Sequence, residues 1–273
     1  MASLGDVEFW DKFHGQKDTE WYLPVDVVAR EVMLIYNDLA APLAQSRPAG
    51  HGGDKREMEG DGREHGISRK RPRILHPGCG SSTLGVILQQ DHGCDVVNAD
   101  FSETAMEAMR VRYPNCDFRC SDARDASEFA SGSFDLAVDK GLFDSVTART
   151  EGREDTARKL LGEAARVLSP GGKYMLFSAF SNDRSGHKAM EELLAHPAFG
   201  EVKVRVLDTP PLEYPDQSSS YLYILTKVGG GAGAAATGGG GCQGPYHNIG
   251  KNDGFCCERL SSLADAPSHK NPA

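Results

Sequence analysis

The chain has 273 residues, enough for one α/β domain with a substantial core and some additional sequence, since domains usually run ~100–200 residues. Its formal net charge of −9 argues against a general nucleic-acid binder, which would carry a basic face, and makes a basic protein surface the more natural partner. Seven cysteines, an odd number with no Cys-x-x-Cys pair, suit a reducing compartment rather than a disulfide framework, and no apolar run is long enough to span a membrane.

No basic region precedes an apolar segment at the N-terminus, so no cleaved leader is expected and a cytoplasmic location is. Both tryptophans, Trp10 and Trp21, lie in the first segment on either side of a polar stretch, a pattern that also suits plain core anchors. From Pro24 a helix is predicted, with Val27, Val28, Val32, Ile35 and Leu39 at helical spacing. Residues 1–44 read as an N-terminal flap and helix of the main domain. Residues 45–71 are rich in Gly, Arg, Glu and Asp and nearly free of large apolar groups, so they read as a disordered insertion. The core is expected over 72–228.

Its first strand, Arg73 to His76, breaks into Pro77-Gly78-Cys79-Gly80-Ser81-Ser82, and a helix follows over Leu84 to Gln90, stopped by Gly93. A strand, a Gly-x-Gly turn and a helix start bring bare backbone N–H groups up to a ligand, here a nucleoside-bearing cofactor. A second strand, Val96 to Asp100, ends in an acid about 20 residues after the glycines, where a carboxylate can take both ribose hydroxyls. A dinucleotide site wants a third glycine two residues past Ser81, and Thr83 stands there instead. S-adenosylmethionine carries no phosphate and has less need of the helix dipole, so the methyl donor is the better match.

Ser102 is the expected N-cap of a helix through Arg112, with Ala105, Met106 and Met109 facing inward. Cys116 to Cys120 reads as the third strand, its cysteines as buried apolar residues rather than zinc ligands, and no metal site is expected. Ser133 to Val138 is the fourth strand, with Asp139-Lys140-Gly141 at the end where open α/β sheets bind ligands and Asp144 a helical turn later. An amphipathic helix runs from Asp155 to Leu168, Ser169-Pro170-Gly171-Gly172 turns the chain, and Lys173 to Ala179 is the fifth strand. A helix over Gly186 to Ala195 leads to Glu201 to Leu207 and, without an intervening helix, Tyr221 to Thr226. That makes an antiparallel edge hairpin, which separates methyl-transfer folds from dinucleotide folds. Residues 229–273 read as a disordered Gly-rich tail.

Several stretches together resemble the class I S-adenosylmethionine-dependent methyltransferases, and more narrowly the branch that methylates lysines of translation elongation factor 1-alpha, with a citrate synthase lysine methyltransferase as a relative. They are Phe9-Trp10-Asp11, Glu20-Trp21-Tyr22, Gly78-Cys79-Gly80-Ser81-Ser82, Asn98-Ala99-Asp100-Phe101-Ser102, Ser133 through Gly141 and Arg166 through Gly172. The resemblance implies a Rossmann-like, mostly parallel seven-stranded sheet with an antiparallel edge hairpin and helices on both faces. It also implies a cofactor site of Trp10, Trp21, Gly78, Cys79, Gly80, Asp100, Phe101, Asp122, Ala123 and Lys140. Asp139, by side chain or backbone carbonyl, is expected to orient the acceptor amine, with Asp144 as the alternative. Asp122 and Ala123 are expected at the adenine. His14 stands where relatives carry a tyrosine, and His76 where they carry an apolar or acidic residue. The implied partner is a protein, an elongation-factor-type substrate. A small-molecule methyltransferase and a cofactor-binding protein without turnover stay open beside it, since fold does not fix the acceptor.

Overall fold

The computed structural model describes residues 7–14, 20, 22–40, 71–148, 152–180, 190, 193, 195–212, 219–229 and the backbone of 258–259. The insertion expected at 45–71 lies outside the described residues but for Arg71, as does the tail but for 229 and 258–259.

Eight strands form one sheet in the order β3-β2-β1-β4-β5-β7-β6-β8. Their bounds are β1 Arg73–Pro77, β2 Asp95–Asp100, β3 Asp117–Cys120, β4 Phe134–Lys140, β5 Leu168–Ser178, β6 Phe199–Leu207, β7 Ser220–Lys227 and β8 Glu258–Arg259. The strands β1 to β5 pair in parallel, and β7 runs antiparallel to both β5 and β6, which gives the expected hairpin. Seven strands match the expectation; the two-residue β8, drawn from the region read as tail, adds parallel to β6. The helices are α1 Val7–His14, α2 Val25–Ala40, α3 Leu84–Gln90, α4 Glu103–Arg112, α5 Leu142–Thr147 and α6 Arg153–Val167. None of them is long and apolar enough to cross a membrane, among the described residues.

Strands covered on both faces read as continuous apolar runs, and alternate residues feed two cores. Leu75, Val97, Ala137, Tyr174 and Leu176 pack with Leu160, Leu161 and Ala164 of α6. Ile74, Val96, Leu136, Val138 and Phe177 face the other way, onto Val28 and Val32 of α2 and Leu84 and Leu88 of α3. The chain leaves β1 toward β2 on one side and returns as β4 on the other, so a crevice opens at the carboxyl ends of β1 and β4.

Two expectations need correction. Ser169-Pro170-Gly171-Gly172 does not separate helix from strand: β5 begins at Leu168 and carries these residues as a bulge, the register jumping from Phe134↔Leu168 to Leu136↔Lys173. Cys116 is buried, but Cys120 is exposed, because it ends an edge strand where only Phe118 turns inward. Of the helix expected over Gly186 to Ala195, positions 190, 193 and 195 are helical and the rest lies outside the described residues.

The missing third glycine has a substitute two residues on. A Cβ on Gly85 would stand 1.8 Å from Asn98 Oδ1, so α3 lies against β2 at backbone contact. Asn98 cannot swing aside freely, since His76 Nδ1–H donates to its Oδ1 at 3.2 Å and its Nδ2 donates to Asp117 O at 3.3 Å. Gly85→Ala is therefore expected to cost about 2 kcal/mol or more in urea unfolding, and the double variant Gly85→Ala/Asn98→Ala less than the sum of its single changes. Additive losses would contradict the contact.

Candidate cofactor and acceptor site

The crevice holds a cavity of about 830 Å³ counting its open mouth, lined by the glycine turn, the ends of β2, β3 and β4, the start of α5, and Trp10 and His14 of α1. Gly78 and Gly80 both take positive φ, 62° and 49°. A Cβ would meet Leu142 Cβ at 2.8 Å from the first and His14 Cε1 at 2.6 Å from the second, so glycine is required by conformation and by space. Cys79 N–H donates to Ala99 O at 3.1 Å and ties the turn to β2.

Asp100 ends β2 with its carboxylate buried. Gly80 N–H donates to Oδ2 and Ser102 N–H to Oδ1, each at 2.9 Å. Burial raises its pKa, against those two donors and His14. One carboxylate thus holds two turns together while it lines the cavity. Phe101 follows on the wall, with the Arg124 guanidinium 5.9 Å from its ring centroid.

At the end of β3, Asp122 and Ala123 line the same cavity. Asp122 accepts from Arg124 N at 2.9 Å and from the guanidinium at 2.6 and 2.8 Å. The burial that would raise its pKa is outweighed by Arg124, and it stays below the ordinary carboxylate value. The neighbouring Ser121 hydroxyl is buried on the wall and has no hydrogen-bond partner among the described residues.

The Asp139-Lys140-Gly141 stretch divides its side chains between the two sheet faces. Asp139 is fully buried and does not line the cavity: it accepts from Leu142 N–H at 2.8 Å and Phe143 N–H at 3.0 Å, capping α5, and from Tyr174 O–H at 2.5 Å. Burial pushes its pKa up to about 7, against these donors. Asp144 is likewise turned into the fold, accepting from Ser178 O–H at 2.9 Å, Ala179 N–H at 2.9 Å and the Tyr22 hydroxyl, with a pKa raised by burial to about 6. The side-chain contact expected of these two acids is corrected accordingly, because both carboxylates spend their lone pairs on internal donors. Lys140 does line the cavity, its Nζ 2.5 Å from Glu20 Oε1. Gly141, at φ 85°, leaves room for the Tyr22 ring, 2.8 Å from where its Cβ would be.

The N-terminal segment is therefore pinned over the crevice by polar contacts. Asp11 accepts from Ser102 O–H at 2.5 Å, and Glu20 accepts from Ser82 O–H at 2.8 Å while pairing with Lys140. Trp10 lines the cavity; Trp21 lies outside the described residues. His76 is buried beside Asn98, away from the cavity wall, and burial with the nearby Lys140 charge lowers its pKa to about 3, which keeps it neutral. Sequence reasoning missed Glu20, Ser82, Ser121 and Ser145 as site residues. Of these, Glu20 carried a signal in the Glu20-Trp21-Tyr22 motif and Ser82 in the Gly78-Cys79-Gly80-Ser81-Ser82 motif.

A family model described as "Methyltransferase domain" matches residues 75–176. Among curated relatives, EEF1A lysine methyltransferase 4 of Bos taurus is 35% identical over 147 residues, 48% of this chain and 57% of the relative. The eEF1A lysine and N-terminal methyltransferase of Xenopus laevis is 30% identical over 175 residues, 60% of this chain and 24% of the relative. The mitochondrial citrate synthase-lysine N-methyltransferase of Pongo abelii is 36% identical over 124 residues, 39% and 50% of the two chains. The chain thus spans between about a quarter and somewhat over half the length of these relatives. On the glycine turn, the strand-end acids and these matches, residues 75–176 are similar to a methyltransferase domain, and the chain is similar in sequence to parts of these lysine methyltransferases.

Proposed function

We propose that the chain is an enzyme that methylates the side-chain amine of a lysine in a protein, working in the cytoplasm. The observation that carries this reading is the convergence of Gly78, Gly80, Asp100, Asp122 and Lys140 on one cavity at the switch point of the sheet. The names of the relatives supply the acceptor class: two act on an elongation factor and one on citrate synthase. An elongation-factor-type protein is the leading substrate, and a net charge of −9 suits a basic partner.

The residues present fit S-adenosylmethionine. Gly78 and Gly80 offer a cradle that any Cβ would fill, Asp100 keeps lone pairs for ribose hydroxyls beyond its two backbone donors, and Asp122 with Ala123 stands at the adenine end. When bound, the cofactor supplies an electrophilic methyl carbon whose leaving thioether is neutral. The protein then mainly has to orient the acceptor and exclude water. A lysine with a reference pKa of about 10.4 must also meet the methyl as the neutral amine. The side chains of Asp139 and Asp144 serve this indirectly, by fixing α5 and the strand end. Main-chain groups of the Asp139–Gly141 turn, on the wall that Lys140 and Ser145 share, are left to orient the amine.

Incubation with labelled methyl donor and a cell extract should label one protein band, with the label recovered in methyl-lysine; label in small molecules alone would contradict the acceptor class. Asp100→Ala should weaken binding of S-adenosylhomocysteine at least ~10-fold in calorimetry, the loss of a charge-assisted pair of hydrogen bonds. Unchanged affinity would remove the ribose assignment. Asp139 has a folded pKa near 7, above the unfolded value of about 3.9. Its contribution to stability is therefore fully present below pH ~4 and lost as pH rises through 7. The stability advantage of wild type over Asp139→Asn should accordingly shrink by roughly 1–3 kcal/mol between pH 5 and 7.5. A pH-independent difference would contradict the buried, internally bonded role.

A further inference from the structure

With the adenosyl group against Asp100 and Asp122, at the tips of β2 and β3, the tips of β1 and β4 are left for the methyl end and the acceptor. The side chains that meet there are Ser82, after the glycine turn, and Lys140 of β4, both on the cavity wall. Glu20, from the segment between α1 and α2, joins them. Its Oε1 accepts from Ser82 O–H at 2.8 Å and lies 2.5 Å from Lys140 Nζ. Both contacts fall on one oxygen, and Oε2 makes none among the described residues. The Glu20 side chain stays 23% exposed, against 3% for Lys140, so the spare oxygen can be reached from outside. Asp139 and Asp144 are bonded inside the fold, which leaves Glu20, among the described residues, as the carboxylate at this end with an oxygen to offer.

We propose that Glu20 is the acid that receives the acceptor lysine, its Oε2 accepting from the acceptor nitrogen while Lys140 stays on Oε1. The proposal rests on the lysine-methylation reading and adds a side chain to the main-chain groups of the Asp139–Gly141 turn. The resident pair shows what this carboxylate takes, since the group now on it is itself a lysine ammonium. The pairing also resolves a conflict of charge. A lone carboxylate beside the acceptor would stabilise the ammonium, which has no lone pair for the methyl carbon. A carboxylate already paired with Lys140 offers an acceptor oxygen with its field largely cancelled, and the Lys140 charge disfavours a second ammonium beside it. The acceptor then sheds one proton to solvent at the open mouth. Its nitrogen lone pair forms the N–C bond as the C–S bond breaks, and the positive charge of the sulfonium ends on the methylated nitrogen. The other titratable groups around the pair do not supply this field. His76 on β1 is held neutral with a pKa of about 3, burial raises the Cys79 thiol of the glycine turn, and burial lowers the His14 imidazole of α1. Asp100 is bonded to Gly80 and Ser102 N–H, Asp11 to Ser102 O–H, Asp139 to Tyr174 and Asp144 to Tyr22.

The protein of the labelled band, produced unmodified and used as acceptor at saturating methyl donor, tests the assignment together with calorimetry of two probes, S-adenosylhomocysteine and 5′-methylthioadenosine. The second probe lacks the amino-acid tail. Glu20→Gln should raise KM for the acceptor protein ~10-fold or more, the loss of a charge-assisted contact, with the affinity for both probes essentially unchanged. An unchanged KM would overturn the proposal. So would a loss confined to S-adenosylhomocysteine, because Glu20 would then hold the tail of the cofactor. Lys140→Gln leaves the carboxylate unpaired, so the pH at which kcat reaches half its maximum should rise by about one unit. The double variant Glu20→Gln/Lys140→Gln removes both charges and should bring that midpoint back near wild type while KM stays high. A midpoint still raised in the double variant would overturn the charge argument, tracing the shift to Asp139 and Asp144, whose pKa values of about 7 and about 6 lie in the same range. If wild type binds both probes and forms no methyl-lysine in the extract, the lysine reading falls and this proposal with it. Wild-type kinetics in Glu20→Gln remove the proposal alone.

Discussion

The structure depends on a carboxylate buried at the end of β2. Asp100 accepts the N–H groups of Gly80 and Ser102, so the turn after β1 and the turn after β2 cannot move independently. An ionised acid in such a place is costly unless donors surround it, and the donors here are main-chain groups that no substitution short of proline removes. Asp122 takes Arg124 N–H and Asp139 takes Leu142 and Phe143 N–H, so the same device recurs at the ends of β3 and β4. Acids at strand ends shape each turn first. Those that also face the cavity, Asp100 and Asp122, are left with lone pairs to offer a ligand.

On this rigid edge rests a segment moored by polar contacts as well as by the buried Tyr22 and Leu23. Asp11 reaches Ser102, Glu20 reaches Ser82 and Lys140, and the Tyr22 hydroxyl reaches Asp144. Tyr22 also holds a positive φ of 80°, which a side chain rarely adopts without a compensating contact, and its ring fills the space that Gly141 leaves. The Asp139-Lys140-Gly141 stretch thus has a physical reason for each member: an internal cap, a partner for Glu20, and room for an aromatic ring. It joins the N-terminal segment to the cavity wall at the end of β4.

Much of this was legible in the sequence. The periodicities of β1, α3, α4 and β7 and the cap at Ser102 follow from local rules, and Ser102 does accept from Ala105 N–H at 3.2 Å. The glycine turn and Asp100 were readable because spacing along a strand fixes position in space. The direction of Asp139 was not: alternation along β4 decides which core a side chain enters, and a one-residue shift reverses it. The close approach at Gly85 was hidden for a similar reason, since a helical glycine signals nothing until the strand beneath it is known. Glu20 and Tyr22 act through contacts more than 60 residues away in sequence, which no local pattern reveals. Asn98 and His76 formed a pair only once β1 and β2 were in register.

A crystal structure of the protein grown with S-adenosylhomocysteine tests the central claim most directly. The account predicts the ribose against Asp100, the adenine toward Asp122 and Ala123, and α1 closed over the ligand. Density for the ligand at any other face of the sheet, or a crevice left empty at saturating ligand, would contradict it.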